Sequence, residues 1–226
     1  MVYIIAEAGV NHNGDIKKAK QLVDIASESF ADAVKFQTFW HIPHVKKYEL
    51  TRNEFEMLHD YCNDREITFL STPHTFEAIE FLDDLVPMYK VASSYLGNIN
   101  FLKAVANKNK KMLISTGSLL HYDGMATDEM VERAIESIEG SDIVLMHCVS
   151  RYPCKDPWYN RLIGLKGFNK PLGLSDHSLN IKPKIFPFLE YIEKHIKIDN
   201  NCIDKEVSLN EKQFRKFICF VRSSMI

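Results

Sequence analysis

Glycine is scarce in this chain: nine in 226 residues, with no G-x-G-x-x-G run after the first apolar stretch. That argues against a dinucleotide-binding open sheet, whose first turn needs those glycines. Cysteine is sparse and unpaired in pattern. Cys62, Cys148, Cys154, Cys202 and Cys219 are an odd five without a C-x-x-C pair. Such usage fits reduced thiols and points to a cytoplasmic location. No charge of one sign dominates, since 28 Lys and Arg face 30 Asp and Glu for a formal net charge of −2. Neither nucleic acid nor an anionic membrane is therefore expected as a partner, and any anionic ligand has to be held by local positive groups. No apolar run approaches membrane-spanning length. The opening MVYIIAEAGVNHNG has no basic leader and reads as a buried strand, not a signal peptide. Without low-complexity segments or a Gly/Ser-rich linker, residues 1–226 are expected to form one domain.

What the chain has instead is alternation. Short apolar runs at Val2–Ala8, Ala33–Phe36, Ile67–Leu70, Met88–Ala92, Met112–Ile114, Ile143–Met146, Leu172–Leu174 and Tyr191–Ile192 read as eight strands. Amphipathic stretches follow most of them. Asp15 can cap a helix beginning at Ile16, and Thr51 to Glu54 reads as a capping box. Ser208 to Glu211 reads as another, opening the last helix. Eight strand–helix units in this length predict an α/β fold, a single (β/α)8 TIM barrel. Continuous apolar strands suit a parallel sheet covered on both faces. Pro183 and Pro187 predict a compressed seventh helix.

Polar residues recur at the C-terminal ends of these strands, which converge on one mouth in a barrel. They are Glu7; Lys35 and Gln37; Thr72; Lys90 and Ser93; Ser115 and Thr116; Ser150 and Tyr152; Ser175 and His177; Glu193 and His195. Lysines and hydroxyls suit a phosphate-bearing carboxylate ligand. A lysine inside an apolar strand is costly to bury without an anion, so Lys35 and Lys90 carry more information than surface lysines. The other reading of them is a buried ion pair with Glu7 or Glu193. His177 and His195, each beside a carboxylate, suit a divalent metal with positions left open. His12, His74, His121 and His147 read as loop or supporting residues, Cys148 as packing, and Trp40, Trp158 and Tyr159 as aromatic lining of the mouth.

The blocks IAEAGVNHNGD (5–15), DAVKFQTF (32–39), FLSTP (69–73), YKVASS (89–94), LISTG (113–117), LMHCVSRYP (145–153), GLSDHS (173–178) and IEKH (192–195) resemble the N-acetylneuraminate (sialic acid) synthase family. That family includes legionaminate, pseudaminate and spore-coat polysaccharide relatives. The resemblance implies a TIM barrel that condenses phosphoenolpyruvate with a 2-acylamino-hexose aldehyde and releases inorganic phosphate. It implies Mn2+ or Mg2+ on His177 and His195, with Glu193 nearby through water. It gives Lys35, Thr72, Lys90, Ser93, Ser115, Ser150 and Ser175 to phosphoenolpyruvate, and Gln37, Tyr152 and Asp204 to the sugar. Glu7 becomes a mouth carboxylate that orients the sugar or relays a proton.

The chain departs from that family on the sugar side. Tyr95 stands where relatives carry an acidic residue, and the loop Asp199 to Asp204 has neither the family's arginine nor its prolines. Relatives continue into an antifreeze-like cap domain, so the expectation here is a barrel alone, with a homodimer or a separate cap-domain chain supplying the missing contacts. The alternatives are a metal-dependent aldolase using pyruvate, and a phosphoenolpyruvate-binding barrel with a different acceptor aldehyde or a non-catalytic role.

Overall fold

Apolar strands that are hidden on both faces need helices outside and a packed interior, and the chain supplies both. The computed structural model describes residues 2–38 and 47–224. Strands β1 (Tyr3–Gly9), β2 (Ala33–Thr38), β3 (Thr68–Pro73), β4 (Met88–Val91), β5 (Lys111–Ser115), β6 (Ile143–Cys148), β7 (Leu172–Asp176) and β8 (Leu189–His195) pair in parallel. They hydrogen-bond in the order β3-β2-β1-β8-β7-β6-β5-β4, and β3 packs beside β4, giving a nearly closed barrel.

Helices α1 (Ile16–Glu28), α2 (Arg52–Asp64), α3 (Phe76–Leu82), α4 (Ile99–Ala106), α5 (Asp128–Ser137), α6 (Tyr159–Gly164) and α7 (Glu211–Ser223) surround it. Each of the longer ones buries a stripe at helical spacing, such as Ala19, Leu22, Val23 and Ala26 on α1. Caps fix their starts. Asp15 accepts from Lys17 N, and Thr51 with Glu54 forms the expected capping box; caps of this kind contribute about 1 kcal/mol each.

Two expectations need correction. The helix after β8 is capped by Asn210 in a box with Gln213, not by Ser208. Chain pairing along β8 continues through Leu209, whose N–H donates to the His195 carbonyl, so a helix cannot begin earlier. The Ser208 hydroxyl instead donates to the Asp204 carbonyl and accepts from Asn11 Nδ2. The seventh helix is missing, not compressed: residues 177–188 contain no helix. Two prolines there remove backbone donors and crowd the preceding turn. That leaves a short link between β7 and β8, the strands carrying both candidate metal histidines. No helix among the described residues is long and apolar enough to cross a membrane.

Candidate active site

Side chains alternate across a strand, so the inward set at each strand end is spaced by two. In the β7–β8 ladder Ser175 stands opposite Glu193, and in the β1 ladders Glu7 stands opposite both Lys35 and His195. This register collects the polar strand ends around one cavity of about 200 Å3. Glu7, Lys35, Gln37, Thr72, Lys90, Ser93, Ser115, Ser150, Tyr152, Ser175, His177, Glu193 and His195 all line it. Asp204 stands just outside this lining, its Oδ2 3.3 Å from His195 Nδ1.

An ionic network occupies the floor. Lys35 Nζ lies 2.5 Å from Glu7 Oε2 and 3.5 Å from Glu193 Oε2, and it donates to Thr72 Oγ1 at 3.0 Å. Lys90 Nζ donates to Glu193 Oε1 at 3.1 Å, and Ser175 Oγ donates to the same oxygen at 2.8 Å. Gln37 Nε2 donates to Glu7 Oε1 at 2.7 Å. The strand lysines are thus ion-paired with Glu7 and Glu193, and they also face the cavity. Burial opposes charge on Glu193, but Lys35, Lys90 and the Ser175 hydroxyl outweigh it and hold the carboxyl well below the usual range. Burial likewise opposes charge on Lys35, and Glu193 and Glu7 outweigh it, raising that ammonium's pKa.

The imidazoles of His177 and His195 meet edge to face with ring centroids 5.3 Å apart. His177 Nδ1 lies 2.8 Å from the Val149 carbonyl, and burial, followed by the neighbouring His195, pushes the imidazole's pKa down to about 3. It is therefore neutral, donates from Nδ1, and directs the lone pair of Nε2 toward the cavity, where Tyr152 Oη is 3.1 Å away. A backbone-anchored imidazole of this kind is the state that binds a metal. His195 Nδ1 is buried, with the Asp204 carboxylate as its polar neighbour. Among the described residues no three His, Cys, Asp or Glu side chains converge as a ready cation site. A metal here would rest on two imidazoles and on oxygens from substrate or water. Formal charge favours one. Two ammoniums, Lys35 and Lys90, face three carboxylates, Glu7, Glu193 and Asp204, so a polyanionic ligand would enter a site with no positive surplus.

Two glycines mark close approaches. Gly9, at φ +54°, has Glu7 Oε1, Asp204 Oδ2 and Gln37 Nε2 all within 3.4 Å of where a Cβ would stand. That gathers Glu7, Gln37 and Asp204, three of the four residues expected to face a sugar, into one corner. A Cβ on Gly117 would overlap Ser150 Oγ and come within 2.7 Å of Cys148 Sγ and Ser93 Oγ, so the hydroxyl side of the cavity closes around that glycine. Tyr152 crosses between the two sides. Its ring is half exposed and stacks on His177 at 4.3 Å, while burial of its hydroxyl end raises its pKa well above 10 and keeps it protonated.

Some residues fall elsewhere than expected. Thr116 hydrogen-bonds the Met146 carbonyl and is not part of the lining. Tyr159 accepts from Lys184 N and packs on Phe186, and neither it nor Trp158 reaches the cavity. Phe39 and Trp40 lie outside the described residues. His74, Cys148, Ser94 and Leu119, read as bland or not singled out, do line the cavity. His74 follows directly on the strand end Thr72–Pro73, the signal that marks its neighbours. Tyr95 turns away: its hydroxyl donates to the His74 carbonyl and its ring stacks on Phe101 at 4.0 Å.

The family model described as NeuB matches residues 40–225. An uncharacterized protein of Methanocaldococcus jannaschii is 34% identical, the match covering 97% of this chain and 70% of that protein. The N,N'-diacetyllegionaminic acid synthase of Campylobacter jejuni is 33% identical over 96% of this chain and 74% of its own length. Among solved structures, the N-acetylneuraminic acid (sialic acid) synthetase of Leptospira borgpetersenii superposes with a TM-score of 0.88 at 31% identity, covering 98% of this chain and 83% of that one.

Proposed function

The chain belongs to the NeuB family, and we therefore propose that it condenses phosphoenolpyruvate with the open-chain aldehyde of an N-acyl-hexosamine, N-acetylmannosamine-like, yielding a sialic-acid-like 2-keto-3-deoxy sugar acid and inorganic phosphate. The observation that carries this reading is the pairing of Lys35 and Lys90 with the hydroxyls of Thr72, Ser93, Ser115, Ser150 and Ser175 around one small cavity. An ordinary structural ion pair needs no such ring of donors; a phosphate and a carboxylate do.

In this reading the lysines release part of their hold on Glu7 and Glu193 as the ligand's oxygens arrive. The hydroxyls then fix its orientation, so the enol carbon faces the acceptor. That carbon forms a bond to the aldehyde carbon, and positive character develops at the phosphate-bearing carbon. Glu193, kept ionised by Lys35 and Lys90, is the negative charge beside it. Water adds there, the aldehyde oxygen ends as a hydroxyl, and the C–O bond to phosphate breaks with phosphate leaving. Glu7, between Lys35 and Gln37, orients the acceptor and relays the proton. Tyr152, protonated throughout, donates to the acceptor oxygen as charge builds on it. A divalent ion, Mn2+ or Mg2+, held by His177 and His195 would act as a Lewis acid on the acceptor carbonyl. Tyr95, turned from the cavity, favours an acceptor different from those of relatives with an acid there.

Phosphate release from phosphoenolpyruvate should require both an acylamino-hexose and Mn2+, and should stop with a chelator. Release without sugar, or condensation of pyruvate alone, would reject the proposal. Gly117→Ala tests the hydroxyl cradle. Its backbone is not in the left-handed region, so the fold should persist, while the KM for phosphoenolpyruvate rises about ten-fold as Ser150 and Ser93 lose their positions. An unchanged KM would remove those serines from the phosphate.

A further inference from the structure

The cavity at the barrel mouth, at about 200 Å3, is small for two substrates; sites for single small ligands run to roughly 300–1,000 Å3. A second cavity of about 680 Å3 adjoins it and shares Ser93, Ser94 and Leu119 with it. Its far side is formed by Ile99, Leu120 and Met130. No charged side chain lines it among the described residues. Leu119 and Leu120 are 73% and 87% exposed, which is unusual for adjacent leucines. They are held in that position, not frayed. Ser118 N and Ser150 N both donate to the Gly124 carbonyl, Gly117 bridges Met125, and Leu120 N donates to Ser118 Oγ. Two of the polar side chains on its wall have partners within the protein: Asn98 caps α4 through Phe101 N, and Ser93 Oγ meets Cys148 Sγ at 3.1 Å.

We propose that this groove is a subsite for an uncharged apolar substituent of the acceptor, an acyl chain longer than acetyl, lying across Ser93 and Ser94 onto Leu119, Leu120 and Met130. The inference rests on the two-substrate reading above and says which acceptors the site takes. A phosphorylated acceptor finds no cation there, so the groove selects against one.

Calorimetry with the full chain tests this, in phosphoenolpyruvate plus a chelator to stop turnover. The ligands are N-acetyl-, N-propanoyl- and N-butanoyl-mannosamine and N-acetylmannosamine 6-phosphate. A thermal shift with phosphoenolpyruvate alone is measured alongside. Affinity should rise about two- to four-fold per added methylene. The trend should be flat in Leu120→Asp, a surface change that leaves packing intact, and the 6-phosphate should bind more weakly than its parent. No rise with chain length, an equal rise in the variant, or preference for the phosphorylated sugar overturns the groove assignment. A thermal shift without the trend sinks the groove alone. The trend without a thermal shift supports the groove and sinks phosphoenolpyruvate instead.

Discussion

Lys194→Met should destabilise the fold by about 3–5 kcal/mol, measured as a lower urea midpoint at unchanged slope. Lys194 sits on β8 between Glu193 and His195, so alternation sends its side chain outward, under α7. There Nζ pairs with Asp176 Oδ2 at 2.9 Å, donates to the Ser178 carbonyl, and lies over the Phe217 ring at 5.8 Å. Both charged side chains have no solvent exposure. Asp176 is the matching outward residue on β7, opposite Lys194 in the ladder, and its other oxygen accepts from Ser178 N at 2.9 Å. Removing the ammonium leaves a carboxylate between barrel and helix with one backbone donor and no neutralising charge. That loss is a large share of the 5–15 kcal/mol that stabilises a typical domain. Lys194→Met combined with Asp176→Asn should recover most of it, because no buried charge remains and the amide oxygen still accepts from Ser178 N. A coupling energy of at least about 2 kcal/mol is expected from the cycle. A single variant within 1 kcal/mol of wild type, or a double variant no better than the single, would show that the pair does not anchor β7 to β8.

The same alternation explains what could and could not be seen in the sequence. Lys35, Lys90, Glu193 and His195 were legible because each interrupts or ends an apolar run, and a strand end in a barrel has one destination. Lys194 and Asp176 share those strand ends but face the other way, and residue type alone does not separate an inward lysine from an outward one. The strands also run past their apolar cores: the ladder continues through Ser175 and Glu193, whose side chains meet in the mouth, and through Asp176, whose carboxylate pairs outward with Lys194. Helix α4 leaves little trace in the sequence. Its sequence INFLKAVA is largely apolar and shows no polar stripe, and only Asn98 marks its start. Ser208 passed for a cap because a capping box is a local pattern, while the pairing of Leu209 with Ile196 depends on distant chain. The groove beside Leu119 and Leu120 was illegible, since it depends on how two loops from neighbouring strands face each other.

Stability should fall steeply as pH drops from about 6.5 to 4, before the Glu193 carboxyl begins to protonate. Burial pushes His12 down to about 4. Burial, then the charges of Lys35 and Lys90, pushes His74 down to about 3. In the unfolded chain both titrate near 6.5. The unfolded state therefore binds more protons below that pH, and the stability due to a neutral buried imidazole is complete above about 6.5 and lost as pH falls toward the folded value. Each histidine contributes a slope of about 1.4 kcal/mol per pH unit in that window, or about 3 kcal/mol by pH 4. His147, also lowered by burial, adds in the same direction. Glu193 follows the same sign rule in a different window: with its pKa held far down by Lys35 and Lys90, its share is lost only below the ordinary carboxylate range near 4. Urea unfolding at pH 7.5, 6, 5 and 4.5 should thus show a decline that begins with histidine, not carboxylate, titration. His74→Gln should remove one histidine's share of the slope, and His12→Gln another. Stability that stays level from pH 7 to 5, or a slope unmoved by either substitution, would mean these imidazoles take up protons within the folded protein.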